Sequence, residues 1–168
     1  MQKLFISLLL MLFIHSSSAQ VFHRNDNQDR LVILSPGLSS QGNGNFYAEL
    51  NFMLARLLPS DIYMPPLIFG PRIGLETNFS NSELVFAPKI GWEASFIILG
   101  VRLNGISYID KGNVDFRILP EIGLSFFSGI NLFYGYNIPL LKYRTTATTS
   151  HRLTLTINLD FDLWKEFR

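Results

Sequence analysis

The side chains able to do chemistry in this chain recur at every second position rather than in a compact motif. Gly70-Pro71-Arg72-Ile73-Gly74-Leu75-Glu76 is echoed by Ala87-Pro88-Lys89-Ile90-Gly91-Trp92-Glu93, and more loosely by Leu119–Ser125. In an extended chain successive side chains point to opposite faces, so the acids, bases and glycines of each copy share one face and the proline and large hydrophobes the other. The same parity gathers Glu49, Arg72, Glu76, Lys89, Glu93, Arg102, Asp115, Arg117, Glu121, Arg152, Asp160 and Asp162 on polar faces. Both signs alternate in that set. An unpaired charge in a narrow interior is costly, whereas paired and hydrogen-bonded charges are tolerated, so the set reads as a charge-paired lumen. Glu76 beside Arg72, and Glu93 beside Lys89, are expected to pair rather than to act as an acid–base couple. A narrow ion path would be better served by a ring of one sign, and none appears.

Nucleophilic and metal chemistry have little to stand on. Beyond the leader, Ser150-His151 is the one adjacent nucleophile and base, and adjacent strand residues diverge. A lipid hydrolase built on that pair is an alternative reading only. There is no Cys, and His23 and His151 are the histidines beyond the leader. Thiolate sites and disulfides are therefore excluded, and two His do not make a zinc centre. No Gly-rich phosphate loop opens a helix. No catalytic, cofactor-binding or metal-binding residue is assigned, and no cofactor is expected.

The elements that must position these charges are strands. Arg152–Leu163 alternates strictly, with Leu153, Leu155, Ile157, Leu159, Phe161 and Leu163 separated by polar residues. Eight such segments are expected, at 31–38, 45–56, 67–78, 84–95, 97–109, 114–126, 130–141 and 152–164. Most exceed the ~9–11 residues that cross a bilayer at a tilt. Pro36 and Gly37 interrupt the first, and Pro71, Pro88 and Pro120 predict local bulges, because proline lacks a ladder donor. The connections at Ser39–Gly44, Ser80–Glu83, Asp110–Asn113 and Lys142–His151 are polar. Those at Leu57–Pro66, Ser95-Phe96 and Phe127–Gly129 are tight or apolar. In an up-and-down barrel this alternation puts four polar connections on one rim and three tight ones on the other, as in outer-membrane barrels. Trp92, Phe96, Phe126 and Trp164 fall near one set of strand ends, and Phe46, Phe79, Phe86 and Phe116 near the other, as interfacial girdles would. Tyr134 and Tyr136 sit mid-strand on the apolar face and fit no girdle.

At the N-terminus, Lys3 precedes an apolar run over Leu4–Ile14, and Ser17 and Ala19 supply the small residues of a cleavage site. Residues 1–19 therefore read as a signal peptide, 20–30 as a polar flexible segment and 31–168 as one barrel domain. Fourteen Lys and Arg oppose thirteen Asp and Glu, a balance that gives nucleic-acid binding no support.

The Pro-Lys-Ile-Gly-Trp-Glu and Pro-Glu-Ile-Gly-Leu-Ser segments, Asn131–Asn137 and the last alternating strand resemble small outer-membrane β-barrel proteins of Gram-negative bacteria. More distantly, the chain resembles the eight-stranded barrel of outer-membrane protein A. The resemblance covers roughly Asn45 to Leu163 and implies a transmembrane antiparallel up-and-down β-barrel, an all-β fold of about eight strands. It further implies outer-membrane lipid and the barrel-assembly machinery as partners, with Trp164 and Phe167 near the C-terminus as an assembly signal. The expected role is structural, in envelope integrity or in surface contact. Tyr143 and Arg144, on the longest polar connection, are the candidate contact residues for an extracellular ligand. A soluble lipocalin-type binder is the rival, and needs the apolar face inside around an apolar ligand.

Overall fold

The computed structural model describes residues 30–42, 44–58, 67–78, 84–96, 98–126, 129–142, 145 and 148–160. They form ten strand segments: β1 (Arg30–Gln41), β2 (Phe46–Leu58), β3 (Leu67–Asn78), β4 (Phe86–Phe96), β5 (Leu99–Asp110), β6 (Asn113–Phe126), β7 (Ile130–Tyr136), β8 (Ile138–Pro139), β9 (His151–Ile157) and β10 (Leu159–Asp160). All pairings are antiparallel: consecutive strands pair from β1 to β7, β8 pairs with β6 and β9 with β7, and β1 also pairs with β9 and β10, which closes the sheet. β8 continues β7 along β6 in unchanged register, and β10 continues β9 along β1. The ten segments thus make eight staves of a closed up-and-down barrel. Closure leaves no edge strand.

The register fixes the barrel's size. Following Cα partners once round the wall, from Arg30 through Arg56, Phe69, Ala94, Val101, Ile122, Tyr134 and Leu153, leads back to β1 at Ser40, ten residues further along. Eight staves with that stagger, at ordinary strand spacing and rise, tilt by about 40° and enclose a backbone radius of about 8 Å. Such an interior is filled by side chains.

The bulges expected at Pro71, Pro88 and Pro120 do not form. A bulge inserts an unpaired residue and shifts the register beyond it, yet the register is constant on both sides of every strand proline. Instead the ladder lapses toward one neighbour for two residue pairs. Pro71 and Gly70 miss β2, Pro88 and Ala87 miss β5, Pro120 and Leu119 miss β7 and β8, and Pro36 and Ser35 miss β9 and β10. Toward the opposite neighbour each proline stays in register, as in Pro36↔Leu50, Pro71↔Trp92, Leu75↔Pro88 and Leu103↔Pro120. A residue in an antiparallel sheet directs its N–H to one neighbour only, so one missing donor costs one side of the ladder. For the same reason Pro36 does not end β1, which runs on to Gln41 beyond the expected 31–38. The lapses opposite Pro120 and Pro36 also divide the staves expected at 130–141 and 152–164, at Asn137 and Asn158. Residues 161–164 of the last segment lie outside the described residues.

Burial alternates along every stave, with polar residues inside and apolar residues outside. Leu54, Ile90 and Ile122 on the outer wall are 64%, 66% and 60% exposed, whereas Arg72, Glu76, Asp115 and Arg152 are at most 2% exposed. Two apolar clusters interrupt the polar interior: Ile33, Met53 and Ala55 toward the rim holding Arg30 and Asp160, and Tyr47, Val85, Ala87, Ile106, Tyr108 and Leu119 toward the other. The connections β1–β2, β3–β4, β5–β6 and β8–β9 share this second rim, hereafter the loop rim. The tightest of them is a two-residue hairpin in which Lys111 and Gly112 both take positive φ, 48° and 81°, the twist that suits flanking right-handed strands.

Candidate functional site: the charged lumen

Register sets Glu49 of β2 directly opposite Glu76 of β3. Two like charges face to face are unfavourable unless cations intervene. Two do. Lys89 from β4 bonds to Glu49 and lies 3.4 Å from Glu76. Arg152 from β9 reaches across, donating from Nη2 to Glu49 Oε2 at 2.8 Å and to Glu76 Oε2 at 2.6 Å, and from Nη1 to Glu76 Oε1 at 2.7 Å. Its Nε donates to Thr154 at 2.9 Å, and Asn51 donates to the second oxygen of Glu49 at 3.2 Å. Every charged atom of this quartet is engaged.

Beside it lies a second group. Glu93 of β4 accepts from Arg72 Nη1 at 2.9 Å and from Arg102 Nε and Nη2 at 2.8 and 3.2 Å. Arg102 also donates to Thr156 at 2.8 Å and stacks its guanidinium 3.6 Å from the Phe133 ring centroid. Gly100 makes this stack possible, since a Cβ there would stand 2.5 Å from the ring of Phe133. Glu121 meets neutral donors, Asn104 at 2.8 Å and Thr154 at 3.2 Å. Arg72 Nη2 and Arg102 Nη1 have no protein partner.

The third group lies at the loop rim. Arg117 grips Asp115 Oδ2 through Nε at 3.0 Å and Nη2 at 2.6 Å. The β8–β9 connection folds back onto this pair: Thr145 donates its N–H to Asp115 Oδ2 and its hydroxyl to Asp110 Oδ2, both at 2.9 Å. Thr149 joins the same mouth, donating its N–H to Gln41 at 3.1 Å and accepting at its carbonyl from Asn137 at 2.9 Å.

The structure thus brings ten of the sequence-derived lumen residues into three interior groups. The pairs are not those expected. Glu76 binds Lys89 and Arg152 rather than Arg72, and Glu93 binds Arg72 and Arg102 rather than Lys89. Residues four apart on a strand are separated by about 13 Å, too far to pair, whereas residues on neighbouring staves are about 5 Å apart. Asp160 pairs through its backbone with Ile33, and Asp162, Tyr143 and Arg144 lie outside the described residues. Sequence reasoning missed Asp110, Tyr108 and Phe133. The inward parity of Arg102 and Asn104, carried through to the end of β5, passes through Tyr108 and Asp110 and would have found both. Among the described residues no three His, Asp or Glu side chains assemble to hold a metal ion.

Outside the barrel, Tyr134 and Tyr136 acquire a partner. His151 stands directly opposite Tyr136 on the outer face. Its Nδ1 lies 2.6 Å from the Tyr134 hydroxyl, and its ring meets Tyr136 edge-on at 5.2 Å. The imidazole is therefore engaged by Tyr134, while Ser150 accepts at its backbone carbonyl from Asn137 at 2.7 Å.

Chemically, the two central groups hold four carboxylates and four cations in fixed positions. That arrangement suits a filled strut better than a site that must change charge during a reaction. Comparison with protein-family models, with curated proteins and with solved structures gave no match.

Proposed function

We propose that this chain is a small integral outer-membrane barrel, exported by its N-terminal leader, with a structural, envelope-integrity or surface-contact role and no catalysis. One observation carries the reading: polarity is inverted relative to a water-soluble barrel. The outer wall presents large hydrophobes round its circumference, from Leu38 and Leu54 to Ile90, Leu103, Ile122 and Leu155, each more than 40% exposed, while the ions are inside. Contiguous apolar surface on that scale requires cover, and an apolar band with a polar interior is what a bilayer-spanning barrel presents. The outward Phe46, Phe86 and Phe116 near the loop rim and Trp92, Phe96 and Phe126 toward the opposite rim suit the two interfaces. A lipocalin-type binder would need an apolar interior, and the ions just described fill that space.

Lipid and the barrel-assembly machinery are the partners this reading requires. Surface contact falls to the loop rim, with Tyr143 and Arg144 as its proposed residues. The test is fractionation of cells making the chain, with gel mobility compared between boiled and unboiled samples. Recovery in the outer membrane with a heat-dependent mobility shift is expected. Recovery as soluble periplasmic protein with no shift overturns the reading.

A further inference from the structure

We infer that His151, positioned by Tyr134 and Tyr136, is a binding site on the outer wall for a phosphodiester oxygen of a lipid headgroup in the leaflet at the loop rim. The inference rests on the membrane reading above and gives one lipid contact a residue and a chemistry. All three side chains are exposed on the outer face of β7 and β9, beside Leu132, Leu153 and Leu155. Polar atoms on such a wall need partners, because acyl chains carry neither donor nor acceptor.

The register gives their depth. Each step round the wall rises about 3 Å along the barrel axis. Counted along the ladders, His151 comes level with Phe46, Phe86 and Phe116 to within about 4 Å, and those residues stand about 24 Å from the level of Phe96 and Phe126. An outer-membrane barrel carries an apolar band ~25 Å tall, so His151 stands at the loop-rim border of that band, where headgroups begin. Tyr134 starts about 8 Å deeper. It carries its hydroxyl up to His151 Nδ1, at 2.6 Å.

A phenol and a neutral imidazole can make this bond in two ways. If Nδ1 donated, the phenol hydrogen and Nε2 would both lack a partner among the described residues. If the phenol donates, only the Nε2–H is left over. The second arrangement satisfies more groups and presents one N–H donor to the surroundings of the wall. Tyr136 meets the ring edge-on, at 5.2 Å and 74°, and so fixes its plane. The ring stands on the wall rather than inside the mouth, so in a bilayer a lipid molecule lies against it. Of the oxygens a phospholipid offers, the phosphodiester is ionised, and a hydrogen bond to an ionised acceptor is about twice as strong as one to a neutral carbonyl.

The experiment is titration of dihexanoyl-phosphatidylglycerol into the full chain folded in maltoside micelles, followed by nuclear magnetic resonance of the imidazole nitrogens. His151→Gln identifies the resonance, and heat-dependent gel mobility confirms that each variant is folded. A saturable shift at His151 Nε2 is expected with the phospholipid, and none with dihexanoylglycerol or with inorganic phosphate at the same concentrations. Tyr134→Phe keeps the ring but removes the hydroxyl that orients the imidazole, and should raise the midpoint about tenfold. An equal shift with dihexanoylglycerol or with inorganic phosphate overturns the inference. So does a folded barrel whose imidazole ignores the phospholipid, a result that leaves the membrane reading standing. Soluble protein with no heat-dependent mobility overturns both.

Discussion

The two ion groups at the centre of the lumen are built from the same residue types but are completed differently. In the quartet of Glu49, Glu76, Lys89 and Arg152, two acids meet two bases and every charged atom has a partner. In the group of Arg72, Glu93, Arg102 and Glu121, both guanidiniums share Glu93, Glu121 is held by an amide and a hydroxyl, and two N–H-bearing nitrogens stay unpartnered. Equal formal charge does not mean equal completion. The difference lies in reach: Arg152 enters from β9, across the lumen from β2 and β3, whereas Arg72 and Arg102 both sit on staves flanking Glu93 and crowd the one acid between them.

That contrast is open to attack, and the largest effect should come from the quartet. Arg152→Met leaves Glu49 and Glu76 facing each other with Lys89 alone. Breaking a buried ion cluster by removing one member costs about 3–5 kcal/mol, read as loss of unfolding free energy in urea with the chain in micelles. A loss below about 1 kcal/mol would mean that the acids relax into water or take up a proton. Glu93→Gln should cost less, about 2–3 kcal/mol, because Arg102 keeps Thr156 and the Phe133 ring. If the two substitutions cost the same, completeness of pairing is not what separates the groups.

Smaller effects sharpen the picture. A double-mutant cycle over Arg102→Met and Phe133→Leu should return a coupling of about 1–2 kcal/mol for the desolvated stack. The smallest expected effect is at Thr154, whose hydroxyl accepts from Arg152 and donates to Glu121 and so joins the two groups. Thr154→Val should cost about 1 kcal/mol. It should also make Arg152→Met and Glu121→Gln additive within about 0.5 kcal/mol, where in the parent they couple.

Much of this architecture can be read from residue order. Alternation fixes which face each charge takes, and the inward set from Glu49 to Arg152 follows from parity alone. The alternating connections fix the number of staves and the two rims. What parity does not carry is height. Partners across the lumen depend on the ten-residue stagger, which emerges only when all eight ladders are in place. Glu76 and Arg152 stand 76 positions apart in the chain, and no local spacing announces their meeting. The prolines mislead for a related reason: a lost donor reads as a break, but in a closed sheet it subtracts from one seam and leaves the other whole. His151 escaped because its two tyrosine partners lie on another stave, so the polar patch exists only once β7 and β9 are paired.

The reach of Arg152 bears on how the chain comes to be folded. Its carboxylate partners belong to the first hairpins, while it belongs to the last stave, 103 positions beyond Glu49. Until that stave arrives, the hairpin of β2 and β3 carries two facing carboxylates, and Lys89 is the other cation of their group. Sealing the cylinder and completing this quartet therefore go together. A contact so distant in sequence pays its loop-closure entropy before it returns any stabilisation, which makes the step slow and cooperative. A chain lacking β9 would hold an open sheet with two facing carboxylates near its β1 edge. The arginine that bridges both acids of the first hairpins is thus in place only when the last stave is.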